Sequence, residues 1–102
     1  EQRELASRLA FLLAYLLKWV VQPERRGRSW EMTIQTQRKS ILRRLEKTPS
    51  LKAVLHDPDW WNDVWGDARL LAGKETGMAM EVFPEVCPWS PEQATHPAFF
   101  PE

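Results

Sequence analysis

The sequence has 102 residues and no net charge, with 43% apolar and 27% charged residues. These proportions exclude a disordered or fibrous chain, and the length fits one domain over residues 1–102. A single cysteine excludes an internal disulfide, and the longest uncharged apolar run, at 9–17, is about half the length of a bilayer span. We therefore expect a cytoplasmic protein with no membrane segment.

Residues 1–21 form the first predicted helix. Its core stripe recurs at helical spacing and consists of Leu5, Leu9, Leu12, Leu13, Leu16 and Val20. The opposite side is apolar too, at Phe11, Ala14 and Tyr15. A helix that is apolar on two sides needs two neighbours, for which we expect another subunit and a helix upstream. The natural chain is expected to extend N-terminally, because the sequence starts without Met inside this helix.

A second helix is predicted at about 30–47. Pro23 ends the first helix, and the segment QPERRG (22–27) is the connector between the two. Ser29 is the expected N-cap. The core positions of this helix are Trp30, Ile34, Ile41 and Leu45, with Leu42 beside them. Its opposite side carries Lys39, Arg43 and Lys47, which is typical of a solvated face.

Two further helical segments follow, a short one near 49–56 and a long one at about 58–76. Asp57 and Pro58 are a cap and a first helical residue, and Gly77 suits the C-terminal end. From 78 to 102 the chain is rich in proline and aromatic residues, with Ser90 and Gln93 spaced as a capping box. The predicted fold is all-α: an antiparallel bundle of three long helices plus short helical pieces, with a core at 1–77 and an irregular packed tail at 78–102.

The charges are divided unequally along the chain. Residues 18–52 carry ten Lys or Arg against three acids, a net charge of +7, and residues 53–102 carry two against nine, a net charge of −7. One interpretation is that the two halves neutralise each other within the bundle. The other is a basic surface for a polyanion.

A candidate anion or interaction site surrounds the connector and consists of Arg25, Arg26, Arg28, Arg38, Trp19 and Trp30. Arg38 lies near the core stripe of the second helix, where an unpaired guanidinium is costly. One alternative is a structural salt bridge to an acid such as Glu24, Asp67 or Glu75. The other is an anion site of the connector arginines at the helix N-terminus. Arginine on indole also occurs in binding to single-stranded nucleic acid, although no nucleic-acid motif is present.

Nothing in the sequence predicts catalysis. His56 and His96 lack a nucleophile or carboxylate at a suitable spacing, and Cys87 is expected to be a small buried residue. Asp59 and its i+4 and i+8 partners Asp63 and Asp67 favour a basic partner surface over a cation. We predict no catalytic residue, no metal site and no cofactor.

Six segments resemble one known family, the domain of unknown function 29 family, which is mainly bacterial and abundant in cyanobacteria. They are LLKW (16–19), QPERRGRSW (22–30), QRKSI (37–41), PSLK (49–52), the AR of DARLLA with ETG (75–77), and FPEVCPW (83–89). The resemblance implies an all-α bundle and about one more helix upstream; Trp65 departs from the family, where a tyrosine is commoner. It implies no reaction, cofactor or ligand.

Function is therefore a choice between classes. The leading hypothesis is a non-enzymatic protein-interaction or structural module that binds a protein partner or a second copy of itself. The alternative is a nucleic-acid or phosphate-ligand binder that uses the basic segment 25–44.

Overall fold

The computed structural model describes residues 2–102, which are 74% helical and contain no strand. The helices are α1 (Gln2–Val21), α2 (Arg28–Lys47), α3 (Leu51–Leu55), α4 (Pro58–Thr76) and α5 (Pro91–Thr95), with 3-10 turns at Pro23–Arg25 and Met80–Val82. Three of the helices are long, as the periodicity predicted. The all-α fold is confirmed.

Local signals explain where the helices begin and end. The carboxylate of Asp57 accepts hydrogen bonds from the backbone N–H groups of Asp59 and Trp60, and α4 ends at Gly77 in the left-handed conformation, with φ of 75°. The predicted cap at Ser29 is wrong, because α2 already begins at Arg28 and Gly27 precedes it in extended backbone without a side-chain cap.

The central element is α1, which packs against both α2 and α4. These two neighbours, both within the described residues, account for the two apolar sides of α1, while Phe11 and Tyr15 on its second side stay partly exposed. Leu9 and Leu13 are fully buried, as is Ala14 on the other side. Val20, in the last turn, is 37% exposed and does not belong to the core as predicted.

The helix directions follow from two ion pairs. Glu4 near the start of α1 pairs with Arg44 near the end of α2, so α1 and α2 are antiparallel. Lys18 near the end of α1 pairs with Glu75 near the end of α4, so these two helices run in the same direction. Since α2 ends beside the start of α1, the connection through α3 lies at that end of the bundle, where α4 begins.

The C-terminal segment from 80 onwards joins α2 to α4, which have little direct contact with each other. On the α4 side, Phe83 is buried, and the Trp65 indole donates a hydrogen bond to Pro84 O at 2.9 Å. On the α2 side, α5 starts with the predicted capping box of Ser90 and Gln93. The tail therefore closes the side of α1 that the helices leave open.

No helix within residues 2–102 combines the length and the hydropathy that crossing a bilayer needs.

Candidate functional site

The six side chains of the predicted site lie in three places. One group packs on the C-terminal segment and consists of Trp19, Arg26 and Arg38. Trp30 belongs to a second group, which is built around Lys18. Arg25 and Arg28 are exposed.

Arg38 is buried in α2 with 1% of its surface exposed, and it binds the backbone of the tail. Its guanidinium donates from Nε to Ala94 O at 2.9 Å, from Nη1 to Pro97 O at 3.4 Å and from Nη2 to Phe99 O at 2.7 Å. The guanidinium carbon also lies 5.4 Å from the ring centroid of Phe100. One side chain thus satisfies three carbonyl oxygens, one in the last turn of α5 and two in the segment that follows it.

The expected salt bridge from Arg38 to Glu24, Asp67 or Glu75 is not formed among the described residues. The side of α2 that carries Arg38 faces the tail, so backbone carbonyls, rather than an acid, are within its reach. Burial lowers the pKa of Arg38 to about 10. Because this value is well above neutral, the group remains a cation at physiological pH and strengthens the hydrogen bonds that it donates.

Arg26 closes the same cluster from the connector. It donates to Trp19 O at 2.6 Å and to the backbone oxygen of Glu102 at 2.8 Å, and its guanidinium carbon lies 5.2 Å from the Trp19 ring centroid. The Trp19 ring is in turn 4.8 Å from that of Phe100. The order Arg26, Trp19, Phe100, Arg38 is therefore a continuous stack of cations and aromatic rings, in which cation–π attraction holds the chain end against α1 and α2.

The second cluster surrounds Lys18, which the sequence analysis did not single out. Lys18 is 8% exposed, and its ammonium lies 4.1 Å from the Tyr15 ring centroid and 5.0 Å from that of Trp30. Glu75 of α4 accepts a hydrogen bond from it at 2.7 Å. Tyr15 and Trp30 pack edge to face at 6.1 Å. A nearly buried ammonium is thus held by two ring faces and one carboxylate.

A sequence signal for this lysine does exist. Lys18 lies three residues after Tyr15 and four after Ala14, so it falls on the second apolar side of α1, among side chains that a core helix buries. What the sequence could not supply was Glu75, which is 57 residues away.

Arg25 and Arg28 take part in no ion pair of the described chain. Because the guanidinium of Arg26 turns inward to Trp19, the three connector arginines do not converge on one point at the start of α2.

The remaining nucleophilic and titratable candidates have local partners. His56 Nε2 lies 2.9 Å from a carboxylate oxygen of Glu92, and both side chains are exposed. Cys87 donates a hydrogen bond to Trp89 O at 3.3 Å, and burial raises the pKa of its thiol. Within residues 2–102 no three His, Cys, Asp or Glu side chains are grouped so that they could hold a metal ion.

The interpretation that the basic and acidic halves neutralise each other is wrong for most of the charges. Within the described chain only the Lys18–Glu75 pair joins the two halves. The outer face of α2 exposes a basic row of Lys39, Arg43 and Lys47, and α4 exposes an acidic row of Asp59, Asp63 and Asp67. None of these six side chains takes part in the ion pairs of residues 2–102.

Comparison with known proteins gives one match. The family model described as "Domain of unknown function DUF29" matches residues 1–100. No curated protein and no solved structure matches the chain.

Proposed function

We propose that this chain, which belongs to the DUF29 family, is a non-enzymatic protein-interaction module that uses its basic row and its acidic row to bind other proteins, including copies of itself. The observation that carries the proposal is the pair of exposed, unpaired rows of opposite charge on α2 and α4.

The two rows match each other in number and spacing. Each has three charges at four-residue steps, which places successive charges about 6 Å apart along a helix. Exposed charges in such rows repel one another, and a row of opposite sign on a partner relieves this repulsion. Complementary rows also steer association and suppress wrong partners, even where each ion pair adds little affinity.

Pairing between copies follows from the position of α1. Since α2 and α4 both pack on α1 and have little contact with each other, their exposed rows cannot meet within one molecule. The basic row of one copy can meet the acidic row of the next. Such a contact is heterologous, so it generates a ring or an open chain.

A protein is favoured over a nucleic acid because of where the aromatic rings lie. Binding to single strands uses exposed rings on which bases stack. The indoles beside the connector are engaged internally instead, Trp19 with Phe100 and Trp30 with Tyr15. Nucleic-acid or phosphate binding through the basic segment 25–44 is the second candidate, supported by the exposed Arg25 and Arg28.

The proposed setting is the bacterial cytoplasm. The lone thiol of Cys87 suits a reducing compartment, where structural disulfides are rare.

The experiment is a charge swap followed by size exclusion with light scattering at about 20 mM and about 500 mM NaCl, since salt screens exposed charges. One variant reverses the basic row (Lys39→Glu with Arg43→Glu), and the other reverses the acidic row (Asp63→Lys with Asp67→Lys). We expect the wild-type chain to assemble at low salt and to dissociate at high salt, and each variant alone to remain monomeric.

Mixing the two variants is the matched control, because every basic row then meets an acidic row again. Recovered assembly in the mixture, without recovery in either variant alone, supports pairing of the rows. A wild-type chain that stays monomeric at low salt, or a mixture that does not assemble, contradicts self-association. Low-salt binding of an oligonucleotide that Lys39→Glu with Arg43→Glu abolishes would favour the second candidate.

A further inference from the structure

A groove between the first half of α1 and the second half of α2 shares Arg43 and Lys47 with the basic row and adds Arg8, Ser40 and Arg44. The groove holds a cavity of about 210 Å³. The side chains that line it are Glu4 and Arg8 from α1 and Ser40, Arg43, Arg44 and Lys47 from α2. Four cations and one carboxylate thus surround it, an excess of three positive charges.

The one carboxylate is already occupied. Glu4 accepts a hydrogen bond from Arg8 Nε at 3.3 Å and another from Arg44 Nη2. Desolvation opposes ionisation of Glu4, but the charges and hydrogen bonds of Arg44 and Arg8 outweigh it and hold the pKa of Glu4 below its ordinary value. Glu4 is therefore ionised at neutral pH.

Most of the donors that line the cavity remain available. Arg43 and Lys47 take part in no ion pair among residues 2–102. Each of the two arginines bound to Glu4 uses only one of its nitrogens there. Ser40 adds a hydroxyl to the same lining. Several charged donors thus line a concave site in which the one carboxylate, Glu4, is already shared by two arginines.

The positively charged lining does not continue beyond this cavity, which limits the size of the anion that it can hold. Arg8 also lines an adjoining cavity of about 230 Å³, together with Ser7, Phe11 and Gln37, and is the only cation there. A polyanion needs a continuous basic track, whereas this arrangement fits one compact charged group followed by an uncharged moiety.

The adjoining cavity carries an independent sign of a ligand. The side-chain oxygen of Gln37 is buried and has no hydrogen-bond partner among the described residues. A buried acceptor without a partner costs free energy, so Gln37 gains stability if its side chain turns this oxygen to a donor in the cavity. Phe11, partly exposed in the same lining, offers an apolar surface beside this acceptor.

We propose that this groove binds a small phosphate monoester, with the phosphate among Arg8, Ser40, Arg43, Arg44 and Lys47, and with the organic group against Phe11 and Gln37. A phosphate monoester carries nearly two negative charges at neutral pH and three terminal acceptor oxygens, so it uses more of these donors than a carboxylate does. Arginine forks bind phosphate oxygens in pairs. The organic group carries a hydrogen-bond donor for Gln37, whose side chain turns to expose its buried oxygen.

Amide chemical shifts in NMR, at constant ionic strength, test this with three probes: inorganic phosphate, phenyl phosphate and 4-hydroxyphenyl phosphate. We expect shifts confined to residues 4–11 and 37–47, and affinity that rises in the order given. Arg8→Gln and Ser40→Ala should each weaken phenyl phosphate binding about tenfold or less, and Arg44→Gln by more. Glu4→Gln should tighten it, because the competing carboxylate is gone.

Two controls keep the outcome decisive. Arg25→Gln removes one exposed charge far from the groove and should leave the affinity unchanged. Arg8 belongs to neither charged row, and its ion pair with Glu4 is exposed, so Arg8→Gln is expected to fold even if Arg44→Gln does not. Equal weakening by Arg25→Gln and Arg8→Gln, or no saturable shift with any probe, overturns the site. Equal affinity for inorganic phosphate and both esters overturns the place given to the organic group.

Discussion

At the residue scale, two buried cations differ in what surrounds their charge. Arg38 is met by three neutral carbonyl oxygens, whereas Lys18 is met by a carboxylate and two aromatic faces. Of the Lys18–Glu75 pair, the lysine side chain is 10% exposed and the glutamate 34%. The two partners therefore lose unequal amounts of hydration when the chain folds.

This inequality predicts unequal effects of the two single substitutions. Glu75→Gln leaves a buried ammonium without its counter-charge and should lower the free energy of unfolding by about 1–2 kcal/mol, less than in a fully buried pair. Lys18→Met removes the buried charge and keeps the apolar contact with Tyr15 and Trp30, so the free energy of unfolding should stay within about 1 kcal/mol of wild type. Urea denaturation measures both.

The double variant Lys18→Met with Glu75→Gln is the control for this pair. It should be as stable as Lys18→Met alone, because Glu75 has no partner left to lose. A larger loss for Lys18→Met than for Glu75→Gln would contradict the asymmetry.

At the scale of elements, the helix ends follow from short-range chemistry. Asp57 precedes Pro58 and caps α4, and Ser90 with Gln93 caps α5. These signals lie within three residues of the groups that they satisfy. The start of α2 lacks such a side chain, and there the expected cap was wrong by two residues, since Gly27 rather than Ser29 precedes the helix.

The cap of α4 gives a prediction at this scale. Asp57→Ala removes the acceptor for two backbone N–H groups and should lower the free energy of unfolding by about 1 kcal/mol. Asp63→Ala is the same chemical change at an exposed position nearly two turns further along, and its effect should stay below about 0.5 kcal/mol. Thermal denaturation of the two variants compares them, and equal losses would show that Asp57 acts only through its charge.

At the scale of the whole molecule, the tail (78–102) is the segment that closes the bundle. It joins α2 to α4 through Arg38 on one side and through Trp65 and Phe83 on the other. Because α2 and α4 have little direct contact, the bundle depends on the tail to close the core around α1.

Removing the Arg38 guanidinium, which holds the tail on α2, should destabilise the tail. Arg38→Met leaves three carbonyl oxygens without their charged donor, so we expect a loss of about 2–4 kcal/mol in the free energy of unfolding. Hydrogen exchange should accelerate first at the amides of Ala94 and Phe99. Lys39→Met removes the same charge from the exposed neighbour and should change neither quantity; unchanged exchange in the tail of Arg38→Met would refute the anchoring role.

The family resemblance and the helical periodicity predicted the fold well. The stripe of α4 was correct at Trp61, Val64, Trp65 and Ala68, which are all buried. The interpretation of α1 was incomplete: its two neighbours were expected to be an upstream helix and a subunit, whereas α2 and α4 both pack on it, with Phe11 and Tyr15 left partly exposed. Periodicity shows how many faces a helix buries, but not which element covers each face.

The candidate site was predicted in part. Trp19, Arg26 and Arg38 were named, and they do share one cluster, but its remaining member is Phe100, and the acceptors of Arg38 are backbone atoms that no residue type announces. Lys18 was missed because Glu75, the carboxylate that pairs with it, lies on another helix.

By itself the sequence determined which segments are helical, where most of them begin and end, and that charges of opposite sign occupy opposite halves of the chain. These properties depend on interactions among residues that are close along the backbone. Only the tertiary structure decided which cations are buried, which are free, and that the groove beside Glu4 gathers four of them. Such pairings join residues that are far apart along the chain, such as Arg38 and Phe99, which are 61 positions apart. Only packing brings such residues together.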